Sequence, residues 1–426
     1  MLSRRLKGLL MICLIFGLSI GIPISSVQNG ISSLNDLGTI GGYPSVDPEL
    51  VKSCTHGALI FVNCDDLIAS NPQLTHDFTI AVLDDGLTPL QWHYLETNPY
   101  ARVDIVRYVF YDKDTGQIIE TGSEGIDSYD QIPDYYDTKI PNDNSHEVYP
   151  KHPITHAVGV LTALGTIYRD ARVVFIDIDS MNDEPGSQFT RELGFLLFPT
   201  TYDSSKDPFN WIIQNRETYN IRIISMSANF PTGFSVTTTS FFTQLFNMGV
   251  TMVVAGGNHP YAYNLRLEDG RYYFYPQIYP EWYAIASVNH NTSQRSWFSA
   301  WGDTYKDMAG SVDFAMPGEY VPIVRPTIID TLGTHQLSWV KNRGTSYSAP
   351  YFAAAVAMLL EGRLAARKTC GDPLTYPSVP NIISTLKANT GMAWNHYLGW
   401  GWVDVYKAYQ DSYESYRCVV HNFYYW

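Results

Sequence analysis

Positive charge is in short supply in this chain: 28 Lys and Arg stand against 42 Asp and Glu, a net charge of −14. Such a deficit excludes a protein that tracks phosphate backbones or anionic bilayers, so no nucleic-acid partner is expected. Internal repeats and low-complexity tracts are missing, which removes solenoids and disordered linkers from consideration. No His/Cys spacing suited to zinc occurs. Cysteine is sparse, five in 426 residues. With Cys13 set aside, an even four remain, which suits disulfides in an oxidising compartment; Cys54 with Cys64 and Cys370 with Cys418 are the favoured local pairings.

Long apolar runs are confined to the start. "MLSRRLKGLLMICLIFGLSIGIPISS" carries Arg4, Arg5 and Lys7 ahead of an apolar stretch from Leu9 to about Ile24. That is the pattern of a secretory signal over residues 1–24, with a retained membrane anchor as the rival reading. Either one exports the rest of the chain, and contact with a membrane is expected only if the segment is kept. The expected location is extracellular, or anchored to the outer face of the membrane. No second segment reads as a membrane span. "NTS" at Asn291 offers a glycosylation acceptor.

What is present is a chain long enough for one large core. Residues 25–75, punctuated by Gly, Ser and Pro, read as an N-terminal extension or short pro-region. From residue 78, "FTIAVLDDGL", "ARVVFIDID" (171–179), "IRIISMS" (221–227) and "GVTMVVAGGN" (249–258) are short apolar runs with polar groups at their ends, the profile of buried strands. "PFNWIIQNRETYN" (208–220) and "SFFTQLFNMG" (240–249) between them read as helices. Strands alternating with helices predict an α/β fold, a largely parallel central β-sheet with helices on both faces. In such sheets ligands sit beyond the carboxyl ends of the strands, where Asp84 and Asn258 fall. Residues 86–155 read as an acidic insertion with a hairpin turning at Asp114-Thr115-Gly116; twelve acids face five bases across these seventy residues.

One stretch frames the chemistry: "NRGTSYSAPYFAAAVAMLLEGR" sets Ser346 and Ser348 where an apolar helix begins. Pro350 suits the start of that helix. Ser346 could simply cap it, or it could be a nucleophile with the positive end of the helix dipole behind it. A serine nucleophile needs a base, a carboxylate to orient the base and donors for the oxyanion. "AVLDDGL" offers Asp84, "THAVGVLTALG" offers His156 and "VVAGGN" offers Asn258.

These residues resemble the motifs of the subtilisin-like serine proteases. Gly344-Thr345-Ser346-Tyr347-Ser348-Ala349-Pro350 meets the family's G-T-S-x-[AS]-x-P. Ala255-Gly256-Gly257-Asn258 is similar to its A-[AS]-G-N, and "YPEWYAIASVNHNTSQRSWFSAWGD", "VDFAMPGEYV" and "LGWGWVDVYKAY" follow in the family's order. The resemblance spans about residues 76–410, leaving 411–426 as a tail. Asp-Asp-Gly and Ser348-Ala349-Pro350 are variants also found in the kexin and furin branch, but the residues after 410 are too few for that branch's extra β-domain.

The resemblance implies a serine endopeptidase acting on protein or peptide substrates. Ser346 would be the nucleophile, His156 the base and Asp84 its orienting carboxylate, with Asn258 and the Ser346 N–H as oxyanion donors. It further implies that Ser227, Ala228, Asn229 and Gly256 line an extended substrate, and that catalysis requires no cofactor while structural calcium is allowed. Asp177, Asp179, Asn182, Asp183 and Glu184 form an oxygen-rich cluster that could serve as such a site or be a polar loop. Departures are visible too. The family's H-G-T-x-V-A-G is here His156-Ala157-Val158-Gly159-Val160, and a shifted alignment points to His152 instead. Ser227-Ala228-Asn229-Phe230 replaces S-[LF]-G-G, where Phe230 either narrows a pocket or stands exposed. If the base were lost, an inactive binding or scaffold protein would remain.

Overall fold

The computed structural model describes residues 57–65, 67, 74–87, 89–98, 100–112, 117–122, 156–178, 207–230, 234–260, 275–302, 312–328, 335–371 and 375–423. The chain divides into two compact units. One takes in residues 1–43 and 328–336, of which only strand ends at Ile328, His335 and Gln336 are described; the other takes in 44–327 and 337–426.

The larger unit is built on a nine-stranded sheet ordered β3-β2-β4-β1-β5-β6-β7-β8, with β9 also pairing β7. The strands are β1 (Thr79–Asp84), β2 (Val103–Asp112), β3 (Gln117–Gly122), β4 (Ala171–Asp177), β5 (Ile221–Met226), β6 (Thr251–Ala255), β7 (Trp282–Asn289), β8 (Gln294–Arg295) and β9 (Phe314–Pro317). The pairings β2/β4, β4/β1, β1/β5, β5/β6, β6/β7 and β7/β9 are parallel; β2/β3 and β7/β8 are antiparallel. β10 (Val321–Ile328) and β11 (His335–Asn342) form a separate two-stranded sheet.

The apolar runs of β1, β4, β5 and β6 are buried on both faces, as a parallel sheet requires. Alternation sorts their side chains into two cores. Ile80, Val82, Val173 and Phe175 join one with α1 (Pro89–Thr97), α2 (His156–Ile167), α5 (Thr345–Cys370), α6 (Val379–Ala388) and α7 (Val405–Phe423). Ala81, Leu83, Val174 and Ile176 join the other, beneath α3 (Pro208–Asn215) and α4 (Val236–Asn247). Each large apolar side chain fully buried this way contributes about 1.5–3 kcal/mol. The buried Asp207 links the second pair of helices: Oδ1 caps Phe209 N at 2.8 Å, and Oδ2 accepts from Thr238 Oγ1 at 2.9 Å.

By length and composition α5 could span a membrane, which the absence of any second span in the sequence reading overlooked; 89 % of its apolar window is buried in the protein, so it is a core helix. Gly371 (φ 71°) ends it in the left-handed conformation, with Arg367 and Lys368 in the last turn against the dipole. Its mid-helix Glu361 is fully buried, accepting from Thr75 N (2.6 Å), His76 N (2.9 Å) and Tyr168 Oη (2.6 Å), and so fixes the chain leading into β1.

From β1 the chain crosses toward β2 and β4, whereas from β5 it continues the other way to β6. The crevice beyond the carboxyl ends of β1 and β5 is therefore the topological switch point, where α/β sheets place ligands. Asp84 ends β1, and Ser227 follows β5.

Candidate active site

Two acidic residues open the site. Asp84 is 3 % exposed and its Oδ1 lies 2.6 Å from His156 Nδ1, while also accepting from Asp85 N at 2.9 Å. Asp85 turns the other way: its Oδ1 accepts from Ala157 N at 2.7 Å, satisfying a donor in the first turn of α2. One dipeptide thus holds both the imidazole and the helix that carries it. The His156 side chain remains 39 % exposed, open to a reacting group. His152 lies outside the described residues.

Ser346 sits in the first turn of α5, where Gly344, not the serine, is the N-cap. Its N–H is thus among the donors that a helix start leaves for an anion. The His156 and Tyr347 rings are 6.3 Å apart, which brings the imidazole beside the turn that carries Ser346. Ser346 Oγ donates to the Ser227 carbonyl at 3.4 Å, a contact too long to hold the hydroxyl firmly.

Asn258 is exposed just beyond β6. Its Oδ1 accepts from Thr345 N (2.8 Å) and Thr345 Oγ1 (3.0 Å), and Thr345 Oγ1 accepts from Gly257 N at 2.9 Å. Because a backbone N–H can only donate, the amide orientation is determined: Oδ1 faces Thr345 and Nδ2 is turned away from it as a donor. Thr345, fully buried, thereby clasps the end of β6 to the start of α5.

The expected substrate-lining residues follow the neighbouring strands β5 and β6. Ser227 is 7 % exposed and donates through Oγ to the Ser346 carbonyl at 2.8 Å. Ala228 and Asn229 are half-buried on the stretch after β5. Gly256 is buried, its N–H donated to Ile285 O at 2.8 Å. Phe230 neither narrows a pocket nor stands exposed: it is 3 % exposed, exchanges two backbone hydrogen bonds with Tyr275 and packs edge-on against Phe234.

Asp84, Asp85 and His156 have donor atoms near enough to share a cation. The contacts above commit the atoms that would serve it: Asp84 Oδ1 to the imidazole, Asp85 Oδ1 to Ala157 N. The calcium reading also fits poorly at Asp177, which is 1 % exposed and accepts from Tyr108 Oη at 3.0 Å within the core. Asp179, Asn182, Asp183 and Glu184 lie outside the described residues, as does Cys54; Cys418 falls within α7. Cys64 and Cys370 are free thiols here, so the expected pairings are not formed; Cys64 is buried, with its thiol 3.9 Å from the Ile167 carbonyl.

Sequence reasoning missed the Asp85 cap and the Thr345 clasp. Both residues stand inside quoted motifs, so their positions carried the signal but their partners, far away in the chain, did not.

The Subtilase family model matches residues 196–401, a segment holding Ser227, Asn258 and Ser346 but starting after Asp84 and His156. No curated protein matches the chain by sequence. Among solved structures, a lanthipeptide protease is similar with a TM-score of 0.54 at 15% identity, covering 87% of this chain and 99% of its own. The psychrophilic subtilisin-like protease Apa1 from Pseudoalteromonas sp. AS-11 is similar with a TM-score of 0.50 at 11% identity, covering 85% of this chain and 98% of its own. At these identities the neighbours speak for a subtilisin-like fold, and the Subtilase family model speaks for the segment 196–401, which holds the serine and asparagine motifs.

Proposed function

We propose that the protein is an endopeptidase working through Ser346, His156 and Asp84, with Asn258 in the oxyanion hole. The observation that carries this is the 2.6 Å contact between buried Asp84 and His156 Nδ1, on an imidazole beside the turn of Ser346. With Nδ1 turned to the carboxylate, Nε2 is the nitrogen left for proton transfer. As Ser346 Oγ bonds to the scissile carbonyl carbon, its proton passes to Nε2; Asp84 steadies the imidazolium that forms. The carbonyl oxygen takes the negative charge, where Asn258 Nδ2 and the Ser346 N–H can donate to it. Collapse breaks the C–N bond and His156 returns the proton to the leaving amine. Water then repeats the cycle on the acyl-enzyme. The reaction needs only the chain's own groups.

An extended peptide beside Ser227–Asn229 and the end of β6 would add as a strand at the crevice. The basic and apolar residues 1–24 support export, to the extracellular space or the outer face of a membrane. The test is hydrolysis of an unfolded protein by the purified chain and by Ser346→Ala. Hydrolysis confined to the former is expected; hydrolysis by both, or by neither across acid to alkaline pH, would reject the reading and, in the second case, favour a binding protein on this frame.

A further inference from the structure

Two buried carboxylates end neighbouring strands. Asp84 on β1 and Asp177 on β4 are Cα partners in the parallel register and are 3 % and 1 % exposed. The alternation that sends Ile80, Val82, Val173 and Phe175 into the core beneath α2 sends both carboxylates the same way. About one strand spacing, ~4.8 Å, separates their backbones. Asp84 Oδ1 is engaged by His156 Nδ1 and Asp85 N, while Oδ2 is buried without a hydrogen-bond partner among the described residues.

Tyr108 ties the second carboxylate to the first one's turn. Its hydroxyl donates to Asp177 Oδ2 at 3.0 Å, and its oxygen accepts from Leu87 N at 3.1 Å, three residues after Asp84. The ring is fully buried between Trp92 and Phe175, at centroid distances of 5.6 and 5.2 Å. The turn Asp84–Leu87 is thus held at one end by β1 and at the other by a phenol anchored on β4. Two carboxylates so close in the interior disfavour each other, and what they favour is a cation formed against them. In the proposed reaction that cation is the His156 imidazolium.

We infer that Asp177 is a positioning residue for the peptidase reaction: through Tyr108 it fixes the turn that carries Asp84, and through its charge it favours the protonated state of His156. This rests on the triad reading above. Among the described residues, the ionisable groups facing the imidazole and its carboxylate are Asp84 and Asp85 at the end of β1, Tyr108 on β2, Asp177 on β4 and Tyr347 on α5. Burial and the Asp177 charge both push the Tyr108 phenol well above its ordinary value, so it stays a neutral donor.

The test reads His156 by NMR in full-length, histidine-labelled Ser346→Ala protein, so that no catalytic activity is required. Removing a negative charge lowers an imidazole pKa, and Asp177→Asn is expected to lower that of His156 by roughly half to one unit. Tyr108→Phe keeps the charge but unties the turn; it is expected to leave the titration in place and to move and broaden the low-field Nδ1–H resonance. An unchanged His156 titration in folded Asp177→Asn overturns the inference. Should that variant lose its native near-ultraviolet dichroism, Tyr108→Phe decides, and an unaltered Nδ1–H resonance overturns it. Failure of wild-type hydrolysis would instead reject the triad reading and leave these spectra to be judged separately.

Discussion

Ser227 Oγ donates to the Ser346 carbonyl at 2.8 Å, and the reason lies four residues downstream. In a helix that carbonyl would accept from the N–H of residue 350, but Pro350 has none. The proline opens a vacancy that ties the Ser346 peptide to the stretch after β5. Ser227→Ala should lower kcat about tenfold as the turn loosens, with Tm falling by a few degrees for the unsatisfied carbonyl. Adding Pro350→Ala restores a local N–H and should recover much of both; a double variant no better than the single one would contradict this.

In the proposed mechanism Asn258 has two jobs that one substitution separates. Asn258→Asp keeps an oxygen for Thr345 N and its hydroxyl, but replaces the outward donor with negative charge. Stability should hold while kcat falls by at least 10²–10³, the order known for losing one such donor in subtilisin. Steady-state kinetics beside a melting curve would read both; a kcat within tenfold of wild type contradicts the assigned oxyanion role.

Asp85 acts on His156 through the helix. Asp85→Ala leaves Ala157 N uncapped, which should cost about 1 kcal/mol and lower kcat more than it changes KM. Equal loss in both parameters would indicate that the helix start does not aim the imidazole.

Cys64 supplies a pH prediction. Burial, with a smaller contribution from Asp65, pushes its thiol from 9.0 up to about 12. The folded state therefore keeps its proton where the unfolded chain loses it. The associated stability is complete below pH 9 and is lost as pH rises through about 12. Native protein should not react with a thiol reagent at Cys64 at pH 8, and Cys64→Ala should flatten the alkaline fall in Tm above pH 9. Rapid native labelling of Cys64 would refute this burial.

The strands were legible because β1, β4, β5 and β6 are uninterrupted apolar runs, and the serine and asparagine because each stands in a compact motif. His156 was less so, since the residues after it depart from the family pattern; its contact with Asp84 spans 72 positions of chain. Separation in sequence likewise concealed Glu361 under Thr75 and His76, Tyr108 beneath Leu87, and the Tyr275 partner that draws Phe230 into the core. Local pattern reports which face of an element is buried, not which distant group meets it. Cysteine parity likewise suggested bridges where Cys64 and Cys370 are free.

The central claim is that Ser346 is an activated nucleophile whose base is His156. Its most direct measurement is treatment of the purified full chain with a fluorophosphonate probe, followed by digestion and mass spectrometry, beside His156→Ala and His152→Ala variants. The account predicts an adduct on Ser346 in the wild type and in His152→Ala, and none in His156→Ala. An adduct on Ser346 that survives His156→Ala, or none on folded wild-type protein, would contradict it.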